Sequence, residues 1–512
     1  MPIIGKIIKK VVDVSSNFSS DEDAIQAQEH VLEKLLNKAK NTAFGRHYNF
    51  DEILDAQHKY AAFVANVPLH GYEKINNEWW NKQLEGKEDI TWPGRTEYFA
   101  VSAGTTGSTS KKIPVTAEML NSIRETGVKQ ALVLPQFDLP EAFYESGVLM
   151  LGSSTNLKKS EDHFEGEISG ISASNLPFWF KGFYKPEEEI AAIDDWDDRV
   201  LNIAKKAPDW DIGALSGIPS WIELMLKKIV SYNNLKTIHD IWPNLSVYTS
   251  GGTAFGPYKK SMEKLLERPL IYLDTYLASE GFLAYQKRPN ETMAMSLSYD
   301  TGIYFEFIPF EDKYFDENGS PLPDAKVLPL QDVDEGREYA LIISTVSGAW
   351  RYSIGDTVKI TDKKRHEIII TGRTKHFMNV VGSQMSVNKM NEALLEMEKE
   401  FNISIPEFTM SAVKINDDYI HRWYLGVEEE TDISEDSLAK ALDETLKNNN
   451  KSYLSARQKA LTGIEVRIVP KDLFYDWAEK EKKKGGQIKT PRMMKDEQFK
   501  NWEDFVSSRL IV

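Results

Sequence analysis

Apolar positions along the chain fall into blocks whose period changes repeatedly, and those changes predict the elements. Ile3, Ile4, Ile7, Ile8, Val11 and Val12 recur at helical spacing with Lys6, Lys9 and Lys10 on other faces, which predicts a short docking helix. The run has no continuous apolar core and no small-residue cleavage site, so it does not read as a signal peptide. Residues 20–66 are helical in pattern, with Ala24, Ala27, Val31, Leu35 and Ala39 on one stripe. Tyr98-Phe99-Ala100 reads as a strand, and a helical pattern runs from about Ala117 to Leu134. Gly147 to Gly152 is a short apolar run with the character of a buried strand.

Strands dominate further on. Ile241 to Gly252 leads a strand into a Ser-Gly-Gly turn, and Pro269 to Gly281 ends another in small polar residues closed by a carboxylate. Tyr304 to Ile308 and Tyr339 to Ile343 are the clearest strands, and Trp350 to Val358 places Asp356 directly after a glycine. Strands recurring between helices predict an α/β sheet with functional loops at the strand ends. The character changes near Gly372-Arg373-Thr374, beyond which lie a helix (388–400), several strands, a helix (434–448) and a charged tail. The expected division is therefore 1–371 and 372–512, with a hinge at 372–375.

The length of 512 residues is too great for one core and agrees with that division. A net charge of −16 argues against a general nucleic-acid or anionic-membrane surface. No apolar run approaches the roughly 18 residues of a membrane span. The chain has no cysteine, which removes disulfides, thiolate metal sites and a cysteine nucleophile, and fits a reducing cytoplasm.

Candidate chemistry centres on Val101 to Thr116, which packs seven hydroxyl residues and two glycines between the strand at 98–100 and the helical pattern from Ala117. A Ser/Thr/Gly loop opening onto a helix N-terminus suits an anion, phosphate above all. The Walker spacing is missing, because neither Gly104 nor Gly107 has a glycine five residues on. At Gly251-Gly252 a planar ring has room to lie against bare backbone. Residues 168–183, with Phe178, Trp179, Phe180 and Phe183, either wall an apolar-ligand pocket or pack ordinarily under a loop. Glu479 to Gln487 reads as a solvated, mobile loop that delivers Ile488-Lys489-Thr490-Pro491-Arg492.

The order of these pieces is more specific than any one of them. A Ser/Thr/Gly loop, a Ser-Gly-Gly turn, Tyr-x-x-Ser-Glu, Tyr-x-x-Gly-Asp, Gly-Arg and a late lysine follow one another, and the chain resembles the adenylate-forming (ANL) superfamily. Within it, Trp242-Pro243-Asn244-Leu245 and Lys489-Thr490-Pro491-Arg492 make it similar to the Gretchen Hagen acyl acid amido synthetases. The resemblance implies a large α/β adenylating domain, built on β-sheets flanked by helices, and a smaller, mobile α+β lid domain. It implies that Ser102, Gly104, Thr105, Thr106, Gly107 and Ser108 hold the ATP phosphates. It places Gly251 and Gly252 with Tyr276 around the adenine, Thr275, Ser279 and Glu280 among the nucleotide-binding residues with Glu280 on Mg²⁺, and Asp356 on the ribose. Arg373 falls at the hinge and Lys489 at the α-phosphate, so that Lys489, Glu280 and Ser102 carry catalysis. Arg124, Trp179 and Phe180 are the candidates for the acyl acid.

Two positions depart from the family pattern. Ala278 stands where serine is common and Ser353 where arginine is usual, with Arg351 a candidate to compensate. The chemistry asks for these residue types: a carboxylate attacking the α-phosphorus needs positioning and charge neutralisation more than proton transfer. The expectation is an acid–amino acid ligase using ATP and Mg²⁺, a cytoplasmic monomer with no nucleic-acid or membrane partner. An acyl-CoA ligase and a non-catalytic nucleotide- or acyl-binding homologue are the alternatives.

Overall fold

The computed structural model describes residues 23–102, 110–160, 162–176, 182–252, 254–316, 319–374, 385, 387–415, 418–429, 431–459, 461–480, 490–494 and 496–510. The helix expected over Ile3 to Val12 lies outside them. The chain divides into two compact units, residues 1–253 with 263–369, and residues 254–262 with 370–512.

In the first unit, helix α1 (Ala24–Ala39) buries the stripe Ala24, Ala27, Val31, Leu35 and Ala39 and is capped by Asp23, which accepts from Ile25 N at 3.1 Å. The helical pattern beyond it is broken into three short helices, Ala43–His47, Phe50–Asp55 and Lys59–Asn66. Thr42 starts the first by accepting from Gly45 N, and Asn49 interrupts the run with a left-handed φ of 54°.

Strands β1 (Tyr98–Ser102) and β2 (Lys111–Val115) form an antiparallel hairpin in a four-stranded sheet with Lys158–Lys159 and Phe164–Gly166. Helix α2 (Ala117–Leu132) follows β2 and is capped by Thr116, which accepts from Met119 N. The main sheet has twelve strands. Its parallel half holds β3 (Gly147–Leu151), β4 (Ile212–Gly217), β5 (Val247–Gly251) and β6 (Ile271–Ala278), side by side in chain order. The crossover from β5 to β6 carries helix α3 (Gly256–Glu263), of which all but Glu263 belongs to the second unit. The other half continues from β6 through β7 (Gly281–Tyr285), antiparallel to it, and Met295–Leu297 to β11 (Glu367–Arg373), then β10 (Tyr352–Asp362), β9 (Glu338–Thr345) and β8 (Ile303–Pro309), with β8, β9 and β10 in antiparallel pairs. Every residue of β8 is buried, Glu306 among them, so its one acid lies inside the core between apolar neighbours.

The second unit packs helix α4 (Val387–Phe401) and helix α5 (Glu435–Asn449) with a three-stranded sheet of β12 (Glu407–Ile415), β13 (Asp418–Val427) and β14 (Leu461–Pro470). Leu438, Leu442 and Leu446 sit one turn apart and form the buried stripe of α5. No helix among the described residues is long and apolar enough to cross a membrane.

His421 on β13 is fully buried and neither ring nitrogen has a hydrogen-bond partner. Burial, and then the charge of Arg457, push its pKa down to about 3. The unfolded chain binds this proton from about pH 6.5 downward and the folded chain only near pH 3, so stability falls over that window by up to ~1.4 kcal/mol per pH unit. His421→Leu is expected to flatten the pH dependence of the urea midpoint between pH 6.5 and 4.

Candidate functional site

Parallel strands β3 to β5 end at one level and β6 runs three residues further, and in such sheets the crevice beyond the carboxyl ends is where ligands bind. β5 ends at Gly251, and Gly252 follows with φ +80°, a conformation that costs glycine nothing. A Cβ on Gly251 would approach Thr275 Oγ1 to 3.0 Å, so the glycine lets β5 and β6 close on each other. Thr275 Oγ1 donates to Ser250 O at 2.9 Å and ties the two strands where they end.

β6 turns back into β7 through Ser279 and Glu280, with Ala278 paired to Gly281. Gly281 takes φ +150°, and a Cβ there would meet Ile303 Cδ1 at 3.1 Å. The tight turn leaves Ser279 and Glu280 each only 7% exposed, next to the ends of the parallel strands.

Asp356 reaches the same place from a distant stretch of chain. β10 pairs Ser353 with Ile342 and Thr357 with Ala340, so a bulge of extra residues lies at Ile354-Gly355-Asp356. Gly355 makes it possible with φ +87°, and bulges redirect the following side chain. Asp356 accepts a hydrogen bond of 2.5 Å from the Tyr276 hydroxyl, and both residues are buried. Two positions 80 residues apart, expected at the adenine and at the ribose, are thus brought into contact.

Arg351 does not fill in for the arginine missing at Ser353. It has φ +41° and is 3% exposed, and its Nε lies 3.2 and 3.1 Å from the two carboxylate oxygens of Glu306. Its Nη1 donates to Val67 O at 2.7 Å. This guanidinium is committed to the core.

The end of the hydroxyl-rich stretch differs from the expectation: Lys111 to Val115 form β2, with Ile113 and Val115 buried and Lys111 paired to Ser102, so a strand stands between residue 110 and the N-terminus of α2. Ser102 is the last residue of β1, while Gly104, Thr105, Thr106, Gly107 and Ser108 lie outside the described residues. Lys489, Trp179 and Phe180 lie outside them as well. Arg373 is the last residue of β11 and belongs to the second unit.

Arg124 lines a cavity of about 350 Å³ with Arg95, Tyr98, Thr116, Asn121 and Asn175. It donates to Asn121 Oδ1 at 3.1 Å and to Asn175 O at 3.3 Å. The structure thus brings Arg124 beside Asn175, just ahead of the aromatic segment in sequence, at the Tyr98 end of β1 and not at Ser102.

One acid beside the Gly251 turn escaped the sequence reading. Asp274 is paired across the sheet with Ser250, whose hydroxyl is fully buried without a hydrogen-bond partner. Burial pushes the Asp274 carboxyl up to about 7, against one favourable bond from Thr275 N. The visible signal was an acid inside the apolar run Leu270 to Leu277. The unfolded chain ionises this carboxyl near the ordinary value of 3.8 and the folded chain only near 7, so stability is lost as pH rises across that window. Asp274→Asn is expected to regain stability relative to wild type between pH 5 and 8, read as a smaller fall in melting temperature.

The fold is that of the adenylate-forming (ANL) ligases. The chain superposes on 2-hydroxyisobutyryl-CoA ligase in its postadenylation state with a TM-score of 0.58 at 12% identity, covering 94% of this chain and 92% of that one. On the GH3.15 acyl acid amido synthetase the TM-score is 0.78 at 17% identity, covering 98% and 96%. Within that class the chain belongs to the GH3 family. It matches the family's N-terminal domain over residues 18–201, its central domain over 296–369 and its C-terminal domain over 387–498. The jasmonoyl–L-amino acid synthetase GH3.5 of Oryza sativa subsp. japonica is 23% identical over 92% of both chains. The indole-3-acetic acid-amido synthetase GH3.4 of Arabidopsis thaliana is 21% identical over 95% of this chain and 91% of its own.

Proposed function

We propose that the protein is an ATP-dependent acyl acid amido synthetase. A carboxylate oxygen of the acid attacks the α-phosphorus of ATP, pyrophosphate leaves, and an acyl-AMP forms. The amine of an amino acid then attacks the acyl carbon, AMP leaves, and the amine gives up a proton. The observation that carries the reading is the Tyr276–Asp356 hydrogen bond at the ends of the parallel strands, beside the Gly251–Gly252 turn.

The residues present fit the nucleotide. Gly251 and Gly252 leave backbone bare for the adenine, and Asp356 offers its carboxylate to the ribose hydroxyls with Tyr276 holding it in place. Among the described residues no group of three or more His, Cys, Asp or Glu is set to hold a metal ion. Mg²⁺ keeps several waters and binds through one or two carboxylates plus substrate phosphates, and Glu280 would be its protein ligand. Mg²⁺ supplies neutralisation of phosphate charge. Ser102 and the loop to Ser108 hold the phosphates, Lys489 meets the α-phosphate from a mobile C-terminal lid hinged near Arg373, and Arg124 with Trp179 and Phe180 faces the acyl acid. The composition without cysteine supports a cytoplasmic protein, and we take it to act as a monomer.

The test is exchange of labelled pyrophosphate into ATP across a panel of carboxylic acids, with Glu280→Ala in parallel. Exchange that requires an acid and falls at least about a hundredfold in Glu280→Ala is expected, since a metal-held charge is worth several kcal/mol in the transition state. Product formation with amino acids and none with CoA then identifies the acceptor. Tight ATP binding without exchange for any acid, aryl or aliphatic, overturns the reading in favour of a binding protein.

A further inference from the structure

The motif Thr490-Pro491-Arg492 is put to use inside the second unit. Residues 490–494 run along β12: Thr409 Oγ1 donates to Pro491 O at 2.7 Å, Met410 N to Arg492 O at 3.1 Å and Met494 N to Met410 O at 3.0 Å. The Arg492 guanidinium then turns inward. Its Nη1 donates to Glu407 Oε2 at 2.7 Å and Phe408 O at 3.2 Å, and its Nη2 to Tyr258 OH at 2.9 Å and Pro406 O at 3.2 Å. Tyr258 in turn donates to Glu407 Oε1 at 2.6 Å. All three side chains are largely buried, with Tyr258 2% exposed.

Tyr258 belongs to α3, the crossover between the two strands that bear the nucleotide turn and Tyr276. A crossover helix ordinarily packs back on its own sheet. Residues 254–262 belong to the second unit, where Lys260 Nζ donates to Asn402 Oδ1 at 3.2 Å and Gly256 abuts Leu395 closely enough that a Cβ would lie 3.3 Å away. Both ends of α3 run into the site strands. It starts four residues after Gly252, and Glu263 at its end accepts from Tyr272 OH of β6 at 3.2 Å.

We propose that Tyr258, Glu407 and Arg492 are positioning residues for the Gly251–Gly252 turn, so that the second unit sets ATP affinity through α3. The proposal rests on reading that turn as the adenine site. Removing the Tyr258 hydroxyl takes the donor from Glu407 Oε1 and the acceptor from one N–H of Arg492 Nη2, which keeps only Pro406 O, and the buried groups relieve this by releasing α3.

Tyr258→Phe deletes one oxygen and keeps the ring. In the full-length protein, amide exchange over residues 254–262 is expected to speed up about tenfold while β8 and β9 exchange as in wild type, the pattern of a local opening. The Kd for ATP with Mg²⁺, by calorimetry, is expected to rise about fivefold to tenfold through loss of preorganisation. Arg492→Lys keeps the charge and loses the planar fork, and is expected to give the same two shifts. Wild-type protection of 254–262 with wild-type ATP affinity in both variants overturns the coupling, as does exchange that rises equally throughout the second unit. A wild-type protein that binds no ATP overturns the coupling together with the nucleotide reading, whereas wild-type binding with unaffected variants removes the coupling alone.

Discussion

Asp356→Ala is expected to lower kcat/KM for ATP in pyrophosphate exchange by about a thousandfold, roughly 4 kcal/mol, because with Asp356 on the ribose, as proposed, it would remove two charge-assisted hydrogen bonds worth ~1.5–3 kcal/mol each. The carboxylate sits on a bulge in β10 and is held by the Tyr276 hydroxyl at 2.5 Å. Tyr276→Phe leaves the carboxylate in place and frees its orientation, so a loss of about tenfold is expected, in line with one hydrogen bond. Asp356→Asn separates charge from shape: an amide preserves the side chain's outline but cannot accept at both positions, and its loss is expected to lie near that of the alanine variant. Steady-state exchange at varied ATP, with circular dichroism to confirm folding, measures all three. Near wild-type kcat/KM in Asp356→Ala would remove this residue from the nucleotide site.

The second large effect is on stability. Glu306 is fully buried, and its carboxylate pairs with Arg351, also buried, and accepts from Tyr60 OH at 3.3 Å. Glu306→Ala leaves a buried guanidinium without its counter-charge, and arginine does not deprotonate to escape, so a loss of about 3–5 kcal/mol is expected at every pH. Arg351→Met leaves the carboxylate instead. Burial already raises the Glu306 pKa, against the opposing pull of Arg351, and without the arginine it moves further up. An acid with a raised folded pKa destabilises as pH climbs from its unfolded value through its folded one, so Arg351→Met is expected to recover stability at pH 5 relative to pH 8. Urea denaturation of both variants at pH 5 and pH 8 checks the asymmetry. A shared pH dependence would show that the two charges are not coupled as their geometry requires.

Both effects lie at residues whose partners come from elsewhere in the chain, which bears on what could be read from sequence. The stripe of α1, the helices near 388–400 and 434–448, and the strands at 304–308 and 339–343 were legible because burial period and local geometry depend on neighbours three or four residues away, or two. The order of the motifs was legible for a similar reason: a turn that needs glycine at Gly252 or Gly355 declares it locally.

Long-range pairing settled the rest. Arg351 and Ser353 are two residues apart, and only the fold directs Arg351 to Glu306 in the core. The hydroxyl-rich stretch reads as a strand-to-helix turn, and only the pairing of β2 with β1 shows that a strand precedes the helix. Asp274 reads as one acid in an apolar run, and becomes notable through Ser250 across the sheet and the burial both share. Arg492 was part of a recognisable motif, but its partners Glu407 and Tyr258 lie 85 and 234 residues away. The sequence by itself determined which residue types stand at each turn and strand end, because those follow from local backbone and burial periodicity. Which charges face each other, and which are withdrawn into the core, was decided only by the tertiary structure, because electrostatic partnership depends on distance in space and on exclusion of water.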